Sequence, residues 1–432
     1  MKLQLKNIGM IKEANVKIDG LTVIAGENDT GKSTVGKVVF CIIKAITRYK
    51  EDFKESKIFK IEEKLNRLFF HIRRKIDFDD IEEEKYYSEL KNILSMDYYF
   101  ESFENPQDYI KELQKYLKTI EDEIINKFLS ELEFIISTPE DKNKSIENAL
   151  NKVFRSEFDS NIVGFNKNIG YIKLSENSLT LLDLKIESNK IEVINNVEPI
   201  EFNEITFIET PLILNNHDML IRSQTGLDIT KRSSRRLGVP YTALHTKDLF
   251  DKLKLNNFTL FWEDDFEEKI KNNIKDIING EIIYDINERD FVYIKNSQKI
   301  PIKNTATGIK SFGTIQLLIN NGFIDKNSIL VLDEPEIHIH PKLQLEYAQL
   351  ISILVDNDVS IIITSHSPYM IDALKYYADK EKINNSFYLT EKNKDETSII
   401  SNVTMDISPI FEKLTEPLEK LHKMKLGLAD DN

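Results

Sequence analysis

"LTVIAGENDTGKST", residues 21–34, joins a short apolar strand to the start of a helix through two glycines. The strand ends at Gly26, and helical periodicity without proline runs from Gly31 to about Tyr49. Between them lies the spacing G-x-x-x-x-G-K-[ST], in the strand–loop–helix context that gives it meaning. Gly26 and Gly31 let the backbone close around an anion where a Cβ would intrude. Amides of the loop and helix start, through Asn28, Thr30 and Thr34, then point at a phosphate. Lys32 adds a positive charge near the β- and γ-phosphates, and the Ser33 hydroxyl is placed to ligate Mg²⁺. The bland alternative is a chance glycine-rich turn.

A second stretch, "SILVLDEPEIHIHPK" at 328–342, supplies what such a loop needs. Ile329 to Leu332 make a buried parallel strand, with Asp333 at its C-terminal edge, where open α/β sheets bind ligands. A carboxylate there is the usual second support of Mg²⁺, and Glu334 is placed to orient and polarise the attacking water. The pair His338 and His340 invites a transition-metal site, but no familiar set of further ligands stands nearby. They fit better in a loop leading to a helix that starts near Pro341. "VSIIITSHSP" at 359–368 repeats the design: a buried strand, then His366 where a γ-phosphate could be contacted. Ser365, His366 and Ser367 lack the G-x-S-x-G elbow of a hydrolase nucleophile.

With 432 residues the chain is long enough for two or three lobes. A net charge of −14 makes it a poor non-specific nucleic-acid binder overall, though a local basic face could still serve. Its one cysteine, Cys41, excludes a disulfide framework and a cysteine zinc site and fits a reducing, cytoplasmic setting. The N-terminus alternates like a strand and not like a signal peptide. The longest apolar run, "VVFCII" at 38–43, falls far short of the roughly 20 residues needed to span a bilayer.

The first 25 residues read as three short strands. Residues 50–160 are dense in Lys, Glu and Asp. Within them Ile110, Leu113, Leu117, Ile120, Ile124, Phe128 and Leu132 form the stripe of an amphipathic helix. Residues 162–196 turn strand-like, "ITFIETP" at 205–211 is a short apolar strand, and 216–278 look mostly helical. The one basic cluster, "KRSSRR" at 231–236, lies there. Three strand fragments follow, "EIIYDI", "FVYIKN" and "KIPIKN", and the last third alternates helix with apolar strand. The pattern is α/β with parallel core strands. The expected division is a head from 1–48 and 197–432, with 216–278 as its helical lobe, and a charged helical insertion at 49–196 that ends in return strands.

Taken together, these motifs resemble the ABC-type ATPase heads of the RecF, SMC and OLD (overcoming lysogenisation defect) group. The resemblance covers roughly 1–48 and 280–410, and "DEPE-x-H-x-HP" is specific to this branch as against membrane transporters. It implies a P-loop head with a mixed sheet, an antiparallel β-lobe and a helical insertion, working with ATP and Mg²⁺. Lys32 and Ser33 become the nucleotide and Mg²⁺ residues, Asp333 the metal-supporting acid, Glu334 the catalytic acid and His366 the switch histidine. Such heads carry a signature loop that meets the nucleotide of the opposite subunit, which implies a homodimer or higher oligomer through the ATP site. Here "TATGIKSFG" takes that place, with a single glycine at Gly308 and Ala306 where the serine is usual; Thr307 or Lys310 would supply the missing contact. The family's Q-loop glutamine is not evident. Glu209 is the candidate in its place, against the plain reading of a surface acid. The insertion is too short for SMC-style arms. About 65 residues follow His366, too few for the Toprim nuclease domain of OLD proteins, and they look like edge strands of the head.

Three functions fit. The first is an ATPase subunit whose nucleotide-dependent dimer regulates a separate effector, a nuclease by expectation, in antiviral defence. The second is a RecF-like DNA-repair ATPase that binds DNA directly through Lys231, Arg232, Arg235 and Arg236, residues that read equally as a solvated face. The third is a nucleotide-dependent scaffold with negligible turnover, against which the intact Asp333–Glu334 pair argues.

Overall fold

Alternating apolar and polar residues open the chain as two antiparallel strands, β1 (Lys2–Ile8) and β2 (Ile11–Lys17). β3 (Leu21–Gly26), with every residue buried, then feeds α1 (Lys32–Arg73). The computed structural model describes residues 1–74, 81–101, 106–117, 122–139, 141–159, 161–164, 167–229, 240–255, 265–337 and 339–425. After α1 come α2 (Ile81–Ile93), α3 (Met96–Glu101), α4 (Pro106–Leu117), α5 (Glu123–Ser137) and α6 (Lys142–Phe158). Three antiparallel strands follow: β4 (Ile169–Glu176), β5 (Leu179–Glu187) and β6 (Lys190–Val193). β7 (Glu204–Ile208) leads to the short helices α7 (His217–Leu220) and α8 (Gly226–Ile229), then to α9 (Leu244–Lys254) and α10 (Asp265–Ile278). A hairpin pair, β8 (Glu281–Asp285), β9 (Asp290–Lys295) and β10 (Gln298–Pro301), precedes α11 (Thr307–Asn320). The chain continues through β11 (Ser328–Asp333), α12 (Pro341–Asp356), β12 (Ser360–Ser365), α13 (Pro368–Glu381), β13 (Asn385–Lys392), β14 (Ser398–Asn402) and α14 (Ser408–Lys425).

Two units result: residues 1–47 with 147–432, and residues 48–146. The larger holds one mixed sheet in the order β6-β5-β4-β1-β2-β14-β13-β3-β12-β11-β7 and a separate three-stranded sheet, β10-β9-β8. β13, β3, β12, β11 and β7 run parallel, and β3, β11 and β12 are buried along their whole length, which is why their centres are apolar runs with small or polar residues toward the ends. The far half of the sheet is antiparallel except for the parallel β14–β2 pair, and its strands alternate, as in β2 and β4. β4–β6 extend this sheet because β4 pairs with β1, so the second unit ends at Ile146 and not at 196 as the composition suggests.

Three further differences from the sequence have physical causes. α1 runs on to Arg73 and not to about Tyr49, because no glycine or proline interrupts residues 37–73. The amphipathic stripe divides between α4 and α5: Asp122 accepts from the Ile124 amide and starts a new helix, which resets the phase. The buried face of α5 is therefore Ile125, Leu129, Leu132 and Ile136, while Ile124 is exposed. Together with Ile61, Leu65 and Leu68 of α1 and Tyr109 and Leu113 of α4, these residues form the core of the second unit. Lastly, β13 and β14 are interior strands, because β13 pairs with β3 and β14 with β2; the edges are β6 and β7. The basic cluster Lys231, Arg232, Arg235 and Arg236 lies outside the described residues, as do His338 and Ile120. Among the described residues no helix is long and apolar enough to cross a membrane.

The first turns of α1 lie close against the sheet. A Cβ at Gly36 would stand 2.6 Å from Val331 Cγ1 and 3.1 Å from Phe207 Cε2, both fully buried. Gly36→Ala is therefore expected to destabilise by about 1–3 kcal/mol in spite of alanine's better helix propensity. Combined with Val331→Ala it should cost less than the sum of the two single changes. Urea unfolding midpoints test this, and additive losses would show that the contact does not govern the packing.

Candidate nucleotide site

The parallel register brings the chemistry to one edge. Ser365 pairs with Ala25, Asp333 with Thr364, and Leu332 with Ile208. Gly26, His366, Asp333, Glu334 and Glu209 therefore leave the C-terminal ends of four neighbouring strands, the place where open α/β sheets gather ligands.

The loop needs its glycines. Gly26 has φ +148°, and a Cβ there would lie 2.1 Å from Thr390 Oγ1 and 2.7 Å from the Thr390 carbonyl oxygen. Gly31 has φ +83°, and a Cβ would lie 2.9 Å from Ile11 Cγ1. Thr30, fully buried, donates to the Glu27 carbonyl at 2.8 Å or shares its hydroxyl with Thr390 Oγ1 at 2.6 Å. Ser398 Oγ donates to the Thr30 carbonyl at 2.7 Å. Asn28 is exposed at the loop's tip, and the Thr34 amide closes the first turn on the Gly31 carbonyl at 3.1 Å. Lys32 is buried. Its ammonium donates to the carbonyls of Gly26 (3.0 Å) and Glu27 (2.7 Å) and stands 3.6 Å from Glu334 Oε1. Burial lowers its pKa, and the charges of Glu334, Asp333 and Glu336 oppose that shift.

Asp333 ends β11. Its Oδ1 accepts from Ser33 Oγ at 2.8 Å and from Thr364 Oγ1. Burial pushes its pKa up, with Glu334 and Glu209 adding, against the two hydroxyl hydrogen bonds. Glu334 adopts φ +47°, a left-handed conformation uncommon outside glycine, and its amide donates to the Thr364 carbonyl (3.1 Å) and hydroxyl (3.0 Å). His366 Nδ1 lies 3.5 Å from Glu334 Oε1 and equally far from Glu336 Oε1.

Glu336 is the third acid of the same run, and the sequence assigns it no role of its own. Its carboxylate is buried, and Oε1 accepts from Ser365 Oγ (2.7 Å) and from the amides of His366 (2.8 Å) and Ser367 (3.2 Å). Ser367 Oγ donates to Gln344 Oε1 at 2.8 Å. One buried acid thus fixes the turn that carries His366. Thr390 and Ser398, which shape the loop from strands near the other end of the chain, carry no sequence signal at all. His340 caps α12, its Nδ1 accepting from the Lys342 amide at 3.2 Å, which gives it a structural task.

The remaining candidates lie elsewhere. Thr307, Gly308 and Lys310 occupy the first turn of α11, where a Cβ at Gly308 would meet Leu343 Cδ1 at 3.0 Å. No hydrogen bond or ion pair among the described residues joins them to the phosphate loop. Glu209 sits one residue past β7, beside Asp333 by register, and its Oε2 is 3.1 Å from His245 Nε2.

The chain matches the model of a family described as an AAA ATPase domain over residues 1–371. That match spans most of the chain, and the chain belongs to this family. A 91-residue stretch is 37% identical to the glucosylceramide transporter ABCA12 of Homo sapiens, covering 21% of this chain and 4% of that protein. The chain therefore spans a small fraction of that relative's length. Among solved structures, the SMC head domain from Thermotoga maritima aligns at TM-score 0.38 and 10% identity, covering 93% of this chain and 98% of that one. An Smc head domain with an extended coiled coil, bound to the C-terminal domain of ScpA from Pyrococcus furiosus, aligns at 0.39 and 12%, covering 98% and 99%.

Glu336→Ala removes the acceptor of three donors, and each buried group left unpaired costs about 1–3 kcal/mol. It is expected to destabilise by at least about 2 kcal/mol. Glu336→Gln keeps one acceptor oxygen and should recover more than half of that loss. An alanine variant as stable as the wild type in urea would remove Glu336 from this role.

Proposed function

We propose that this member of the AAA ATPase domain family binds ATP with Mg²⁺ and hydrolyses it, and that its nucleotide state regulates a separate effector. The observation that carries the first part is the pairing of Ser33 with Asp333 and of Lys32 with Glu334 across one phosphate loop. A hydroxyl and a carboxylate are the hard oxygen donors that Mg²⁺ takes. The residues fit that ion: the Ser33 hydroxyl and the Asp333 carboxylate meet at 2.8 Å and would hold it. Bound Mg²⁺ would draw off charge from the phosphate oxygens as the terminal phosphoryl group leaves.

The chain's own groups do the rest. Loop amides from 26–34 and the Lys32 ammonium bind the phosphates, and Lys32 exchanges its contacts with Gly26 and Glu27 for phosphate oxygens. Glu334, with its left-handed backbone, aims its carboxylate back over the loop, where it orients the attacking water and accepts its proton. His366, 3.5 Å from Glu334 Oε1, steadies that acid and meets the γ-phosphate side. Thr307, Gly308 and Lys310 of a second copy complete the site from outside. In support, Thr307 at the start of α11 is partly exposed, while Lys310 is buried and would swing outward to reach a partner's phosphate. A two-fold dimer places each such turn over the partner's phosphate loop.

Glu334→Gln is expected to bind ATP and hydrolyse it about a hundredfold more slowly, within the range for losing general-base assistance. Lys32→Ala should lose affinity instead. Gly308→Asp should abolish hydrolysis while single-chain ATP binding persists. Equal turnover by wild type and Glu334→Gln would end the assignment.

The regulatory half fits a chain whose second unit, residues 48–146, has a core of its own. The proposed effector is a nuclease acting in antiviral defence, bound by a surface whose affinity follows the nucleotide state. Effector binding should differ between wild type and Glu334→Gln in the presence of ATP, and the lone chain with Mg²⁺ and ATP should cut no DNA. Glu334-independent DNA cleavage by the chain alone, or equal effector binding in every nucleotide state, would overturn this half. Salt-sensitive duplex binding by the lone chain would favour the direct DNA role instead.

A further inference from the structure

Glu209 belongs to an ion triplet that no motif of the chain contains, with His245 and Glu157 buried and Glu209 at its exposed end. His245, on α9, is 2% exposed, and both of its ring nitrogens face carboxylates. Nδ1 lies 2.6 Å from Glu157 Oε1 and Nε2 lies 3.1 Å from Glu209 Oε2. Glu157, near the end of α6, has a fully buried side chain; its Oε2 accepts from the His245 amide at 3.3 Å, and Lys37 Nζ stands 3.7 Å from Oε1. Thr246 Oγ1 is 3.1 Å from Nε2. The rings of Phe40 and Phe207, with centroids 6.3 and 4.9 Å away, hold the imidazole in place.

A neutral imidazole has one donor and one acceptor nitrogen, so it cannot serve two ionised carboxylates. Only the doubly protonated ring can. Burial opposes that form, but the hydrogen bonds to Glu157 and Glu209 outweigh it and push the pKa up to about 9. The same hydrogen bond is the first cause of a lowered Glu209 pKa. The two acids are not alike. Glu157 is sealed inside, whereas the Glu209 side chain is half exposed, at the sheet edge where Asp333 and Glu334 emerge. A plain internal strut would bury both ends.

We propose that His245 is a positioning residue for the nucleotide site: it fixes the Glu209 carboxylate beside Asp333 and ties it to Glu157 on α6. So held, Glu209 adds a second carboxylate to the surroundings of a divalent cation carried by Ser33 and Asp333. This rests on the site being a metal–nucleotide site, as proposed above.

The test measures Mn²⁺ affinity by electron paramagnetic resonance on the full chain, with a non-hydrolysable ATP analogue present. Glu209→Gln is expected to weaken Mn²⁺ about tenfold, the scale of outer-shell losses at metal sites. Analogue binding without metal should stay as in wild type. His245→Gln should weaken Mn²⁺ to a similar degree, and adding it to Glu209→Gln should cost nothing further. Losses that multiply in the double variant would mean that His245 acts on the fold and not through Glu209. Should His245→Gln fail to fold, Glu209→Gln alone decides, since unchanged Mn²⁺ affinity there overturns the proposal. A wild type that binds neither analogue nor Mn²⁺ brings down the nucleotide reading itself, and this inference with it.

Discussion

The Asp333 carboxylate ties together three segments that lie far apart in sequence. It accepts from Ser33 at the start of α1 and from Thr364 in β12, while itself ending β11. A carboxylate so buried is costly to ionise, and Glu334 and Glu209 raise that cost further. Two hydroxyls soften the penalty without cancelling it. Opposite stands Lys32, a buried ammonium that rests on its own loop's carbonyls and looks toward Glu334. The carbonyls that hold Lys32 and the hydroxyls that hold Asp333 keep an ammonium and a carboxylate at the loop, where a dianionic phosphate with a divalent cation would add a counter-charge to each.

That architecture was only partly legible in the sequence. The motif residues are local and chemically peculiar: glycines where no side chain fits, and acids directly after apolar runs. Gly26, Lys32, Ser33, Asp333, Glu334 and His366 therefore announce themselves, and the sheet register brings them together. Elements that depend on partners far along the chain do not. β13 and β14 look like edge strands because their sequence is polar at one end, yet they lie in the middle of the sheet. Thr390 and Ser398 are ordinary strand residues until the loop is seen to rest on them. His245 could have been found only by asking which buried cation answers two acids. In the second unit, one capping aspartate, Asp122, moved the buried face by a residue; hydrophobic spacing alone carries no mark of such a break.

Charge also explains how an acidic chain can serve an anionic ligand. The net charge of −14 belongs to the whole surface, while the edge of the sheet is arranged locally. There Glu209 is compensated by His245, Glu157 by His245 and Lys37, and Glu334 by Lys32. Glu336 is answered by hydroxyl and amide dipoles from residues 365–367. Asp333 is held by two hydroxyl donors, and the charge of Lys32 acts on it from the phosphate loop.

The dependence of the loop on Thr390 and Ser398 has a consequence for how the protein is made. β3 is flanked by β12 and β13, so both of its sheet neighbours come from beyond residue 359, and Thr30 meets Thr390 across 360 residues. At about 5–20 residues per second, roughly 20–70 s separate the emergence of the phosphate loop from that of the strand that shapes it. Through that interval a largely apolar strand waits without its two sheet neighbours on the nascent chain, as the kind of exposed edge that folding factors cover. Ligand binding thus belongs to the finished polypeptide. A ribosome that stops between His366 and β13 releases a chain that carries every motif residue but lacks Thr390, Ser398 and one of the two strands that flank β3.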